Sequence, residues 1–69
     1  MELDLHGCRH SEVDRIVENF VLLNDTPLKI ITGNSIKMRE IVIKVLERHK
    51  FVYDNLDNFG VITVLGEKL

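Results

Sequence analysis

The sequence predicts an α/β fold, an α+β two-layer sandwich in the order β-α-β-α-β-β, with a mixed four-stranded sheet covered on one face by two helices. Three observations predict it. Two stretches carry apolar residues at helical spacing, four shorter ones carry the alternating or continuous apolar pattern of strands, and Gly- or Pro-containing clusters separate them.

Each element follows from its residues. Leu3 and Leu5 alternate with Glu2, Asp4 and His6, the period of a half-buried strand, which Gly7 ends. Ser11 is placed to cap the next element, with Asp14 in its first turn, where an acid suits the helix dipole. Val13, Ile16, Val17, Phe20 and Val21 then set a helix from about Glu12 to Leu23. Asn24-Asp25-Thr26-Pro27 is a turn cluster, and Pro27 forbids continuation. Leu28 to Thr32 reads as a short strand closed by Gly33. A second helix begins near Ser35 and carries Met38, Ile41, Val42, Val45, Leu46 and His49 on one side. The remainder predicts a hairpin with arms Phe51 to Leu56 and Val61 to Leu65, turning through Asp57-Asn58-Phe59-Gly60. The second arm is nearly all apolar, so a central position is expected. The first strand-helix-strand unit is expected to cross over right-handed, making its two strands parallel.

Length and composition narrow the classes. A chain of 69 residues, 45% hydrophobic and 29% charged, has room for one domain, 1–69, of ordinary globular character. A fold this small buries only about 60% of its unfolded surface, so it gains from a staple or a partner. Cys8 is the only cysteine, which excludes an intrachain disulfide and paired-cysteine zinc sites, and a single thiol suits a reducing compartment. Met1-Glu2-Leu3-Asp4 shows no basic, apolar leader pattern, and no apolar run approaches the roughly 20 residues of a membrane helix. A cytoplasmic location without membrane association is expected. The net charge of -2 opposes strong non-specific binding to phosphate backbones. Its distribution is uneven, however. Lys37, Arg39, Lys44, Arg48 and Lys50 outnumber Glu40 and Glu47, whereas Glu12, Asp14, Glu18 and Asp25 face only Arg15. Two solvated helix faces would account for this equally well.

Two motifs carry the candidate chemistry. Asp4 and His6, two apart on the first strand, are expected on one face at its C-terminal end, where ligands bind in open α/β sheets. Thr32-Gly33-Asn34-Ser35 occupies the corresponding end of the second strand. If the two strands are neighbours, both motifs open onto one crevice. There the first amides of the second helix, with Lys37 and Arg39 close by, form a seat for a phosphate. An exposed, hydrogen-bonded Asp-His pair and an ordinary helix cap are the alternative readings. Nothing in the spacing of Asp4, His6 and His10 requires zinc, and no carboxylate cluster marks a two-metal centre. No protein-held metal is therefore expected, and Mg²⁺ as a cofactor is left open.

Leu3-Asp4-Leu5-His6-Gly7 resembles the LDLHG motif that opens Smr (small MutS-related) domains, and Ile30-Ile31-Thr32-Gly33 resembles their second motif, TGxG. The likeness spans essentially the whole chain. It implies a sandwich similar to the C-terminal domain of bacterial translation initiation factor 3, nucleic-acid binding, and endonuclease activity on DNA or RNA. By position, Asp4 and His6 fall in the motif associated with cleavage. Thr32 and Gly33 fall in the loop associated with nucleic-acid contact, and Gly7, Arg9, His10, Asn34, Ser35, Lys37 and Arg39 beside the two motifs are expected to complete the nucleic-acid side. The chain departs from the pattern at the last glycine of TGxG, which is Ser35, and keeps only Gly60 of a glycine-rich stretch before the last strand. Three functions are therefore carried forward: an endonuclease, a non-catalytic RNA- or DNA-binding module, and a protein-interaction or dimerisation domain with a second copy as partner.

Overall fold

The computed structural model describes residues 1–54 and 60–67. Their order is β1 (Glu2–Asp4), α1 (His10–Leu23), β2 (Leu28–Ile31), α2 (Ile36–Arg48), β3 (Phe51–Asp54) and β4 (Val61–Glu67). The four strands form one mixed sheet in the order β1-β2-β4-β3, so the architecture is the predicted α+β two-layer sandwich. β1 and β2 are parallel, with Leu3 opposite Ile30 and Asp4 opposite Ile31. β4 is antiparallel to both β2 and β3 and lies between them, as its apolar content predicts.

Packing follows the periodicities. α1 buries Val13, Val17 and Val21, one residue per turn, while α2 buries Met38, Val42, Val45 and Leu46. The sheet meets them with Leu5, Leu28, Ile30, Phe51, Ile62 and Val64, and Ile16, Phe20, Ile41 and Tyr53 pack around the margin. Each fully buried aliphatic side chain contributes about 1.5–3 kcal/mol, so a stripe of three valines is enough to fix the roll of α1. Among the described residues no helix covers the opposite face of the sheet.

Several boundaries differ from the sequence expectation. α1 starts at His10 rather than Glu12. Its N-cap is Arg9, in extended conformation and without a side-chain cap bond, so Ser11 lies inside the first turn and caps nothing. Ser11 and Glu12 are exposed and the first helical amides need no carbonyl partner, so this early start conflicts with no packing. Asp14 accordingly lies beyond the first turn, where Glu12 is the acid. Ser35, in contrast, caps α2: its hydroxyl accepts from the Met38 amide at 3.1 Å. β2 stops at Ile31, one residue short of Thr32, and β4 continues past Leu65 to Glu67. The register skips between Val52 and Tyr53, where Val52 faces Gly66 and Tyr53 faces Val64, leaving Leu65 as a bulge. The predicted end of the first hairpin arm and most of its turn, residues 55–59, lie outside the described residues. Among the described residues no helix is long and apolar enough to cross a membrane.

Candidate nucleic-acid interface

Because β1 and β2 are parallel neighbours, their C-terminal ends leave the sheet together. The Leu5 amide still donates to the Ile31 carbonyl at 3.0 Å, one step beyond the last strand residue of β1. Leu5 itself is fully buried, so the chain is anchored at the point where the first motif begins. The same strand ends lead into α1 and α2, so both helices start from this edge.

The first motif folds as a tight turn rather than as a strand. The Cys8 amide donates to the Leu5 carbonyl at 3.0 Å, and Gly7, third in the turn, has φ +83°, as a type II turn requires. His6 thus lies past β1, which ends at Asp4, and the expectation of an Asp4-His6 pair on one strand face is corrected. The cause is Gly7, which lets the backbone fold back one residue after Leu5. The Asp4 carboxylate binds the backbone of His6, accepting from its amide at 2.8 Å. Both residues are exposed, as are Gly7, Arg9 and His10.

The second motif is held from the far side of the sheet. The amides of Thr32 and Gly33 both donate to the Gly60 carbonyl, at 2.8 and 3.1 Å. These two amides are therefore used internally and do not contribute to a phosphate seat. The Thr32 hydroxyl donates to the Gly33 carbonyl at 3.1 Å, and its side chain is buried, a position that suits a structural role better than ligand contact. Gly33 has φ +66°, which turns Asn34 and the start of α2 outwards. A Cβ at Gly60 would lie 3.5 Å from the Gly33 backbone, in ordinary contact with it. With the Met38 amide capped by Ser35, the amides of Ile36 and Lys37 remain as the first-turn donors of α2. Gly33, Asn34 and Lys37 are exposed, whereas Ser35 is half-buried. Arg39 is half-buried and already engaged within the fold, so of the two predicted cations Lys37 is the better placed for a ligand.

The edge thus gathers His6, Arg9, His10 and Lys37 with the acids Asp4 and Glu12, beside two helix N-termini whose dipoles favour anions. Among the described residues no group of three His, Cys, Asp or Glu side chains is arranged to hold a metal ion.

Two features were not anticipated from the sequence. The first is Gly60 as the anchor of the second motif; its only sequence signal is a glycine directly before a strand. The second is an ion cluster that joins the acidic helix to the basic one. Arg48 binds Asp14 in a fork, Nη2 to Oδ1 at 2.8 Å and Nη1 to Oδ2 at 3.1 Å, and reaches Glu18 at 3.1 Å. His49, the C-cap of α2, places Nε2 2.8 Å from Glu18 Oε2. The Arg48 fork holds the Asp14 carboxyl below its ordinary range. Glu18 is lowered by its bond to His49 and then by Arg48. The spacing of Asp14 and Glu18, one turn apart on α1, is the signal that could have found this cluster. It also takes Arg48 out of any basic nucleic-acid surface. Elsewhere, burial pushes the Tyr53 hydroxyl up, with its bond to Glu47 adding to the effect.

A cavity of about 350 Å³ opens at the other end of the sheet, lined by Met1, Glu2, Pro27, Leu28, Lys29 and Thr63. It does not adjoin the two motifs.

Comparison with protein-family models, with curated proteins and with solved structures returns no match for this chain. The likeness to Smr domains rests on the two motifs and their order.

Proposed function

We propose that this chain binds nucleic acid at the edge where β1 and β2 end, and that it acts there as an endonuclease of the Smr kind. The observation that carries this reading is the parallel pairing of β1 and β2, which brings the LDLHG turn and the Thr32 to Ser35 loop to one edge. Lys37, Arg9 and the first amides of α2 supply positive potential for a phosphate. His6, exposed on its turn, acts as general base: neutral imidazole takes the proton of an attacking water or ribose 2′-hydroxyl as that oxygen bonds to phosphorus. The opposite P–O bond breaks, and the leaving oxygen is protonated from solvent. Asp4 positions His6 by fixing its backbone amide.

A cleavage assay on labelled single-stranded, duplex and branched RNA and DNA tests this, with and without Mg²⁺. His6→Ala is expected to slow cutting by about 10²–10⁴-fold, the usual worth of general acid-base catalysis, while binding persists. Equal cutting by both proteins would remove His6 from the reaction. One observation favours a second reading, a binding module without turnover: Asp4 contacts the His6 amide instead of its imidazole, so no acid-imidazole pair is pre-formed. That reading predicts salt-sensitive binding, weakened by Lys37→Ala, with no product from either protein.

A further inference from the structure

The end of the molecule away from the two motifs has a different surface. β1 and β2 begin there, β4 finishes there, and α1 ends four residues before β2 starts. Among the described residues, five of the six most exposed large hydrophobic side chains lie at this end: Met1, Leu22, Leu23, Val52 and the bulged Leu65. Leu23 is 80% and Met1 73% exposed. The sixth, Ile36, is at the opposite edge. Pro27 is also exposed beside them. Such a concentration of apolar surface on one end of a small protein marks an interaction site.

The surface is complementary to itself in two respects. It carries protruding apolar groups, with Leu22 and Leu23 side by side at the end of α1, and also the 350 Å³ cavity, whose apolar lining comes from Met1, Pro27 and Leu28. Its rim carries both signs of charge. Glu2, Asp25 and Glu67 stand with Lys29 and Lys50, all exposed, and the contact of Lys29 with Glu2 is loose at 3.9 Å. A surface holding both knob and hole, and both acid and base, has what a two-fold contact between identical chains requires.

We propose that this end is the interface of a two-fold symmetric homodimer, in which Leu23 of each copy enters the cavity of the other. Rim lysines then face the partner's acids. The two motif-bearing edges point outwards, so dimerisation leaves them accessible.

Sedimentation equilibrium from micromolar to millimolar concentrations tests this. The parent is expected to double its mass with rising concentration. Leu23→Glu, which alters an exposed position, is expected to stay monomeric, with a circular-dichroism melt like the parent's at the dilute end of the range, where the parent is monomeric too. Lys29→Glu, which replaces a rim cation with an acid, is expected to raise the dissociation constant at least tenfold at low salt. Ile36→Glu, at the other end, should dimerise like the parent. A parent that is monomeric throughout would overturn the proposal. So would a Leu23→Glu protein that dimerises as well as the parent, or dissociation caused by Ile36→Glu.

Discussion

Gly7 and Gly33 hold the two motifs in shape by adopting φ of +83° and +66°. A Cβ at either would meet nothing within 4 Å, so the cost of adding one is conformational rather than steric. Gly7→Ala and Gly33→Ala are each expected to lower stability by about 1 kcal/mol, the left-handed penalty less the entropy that alanine removes from the unfolded chain. Gly60→Ala places its Cβ 3.5 Å from the Gly33 backbone, an ordinary contact, and should cost less than either. Urea denaturation of the three variants checks the order; equal losses at all three would contradict it. At this scale the sequence was only partly informative. The residue types at the motifs were legible, but the direction of His6 was not, because a strand and a type II turn share the residues before Gly7. The carbonyl of Gly60 was also hidden, since hydrogen bonds to Thr32 and Gly33 join positions far apart in the chain.

At the scale of elements, strong periodicity made both helices and the central place of β4 readable, since Val61 to Leu65 has too little polar content for an edge. Helix starts were less legible, because Ser11 and Ser35 are both good caps in isolation and only one is used. Ser35→Ala should therefore lose about 0.5–2 kcal/mol, the worth of a side-chain N-cap. Ser11→Ala, inside the first turn of α1, should be close to neutral. Thermal melts of the two proteins separate the cases, and a larger loss at Ser11 would mean that α1 begins where the sequence alone placed it.

For the molecule as a whole, charge acts twice. The acidic run on α1 and the basic run on α2 read as separate surfaces in the sequence, but Arg48 joins them through Asp14 and Glu18. Their carboxyls are held below their ordinary values, so the unfolded chain binds more protons at acid pH. This stabilisation is full above the unfolded carboxyl values of about 4 and fades as pH falls through the lower folded ones. Urea midpoints should thus drop more steeply between pH 6 and pH 3 for the parent than for Arg48→Ala, and high salt should narrow the gap. Parallel pH profiles would show that the cluster adds nothing.

The second role of charge is the claim on which the functional account stands: phosphate is received at the strand-end edge and not at the cavity. Amide chemical shifts of the parent, followed during titration with a short oligonucleotide at low salt, locate the contact directly. The account predicts that the largest changes fall at His6 to His10 and at Asn34 to Lys37. Changes centred on Glu2, Leu28, Lys29 and Thr63, or no changes at all, would contradict it.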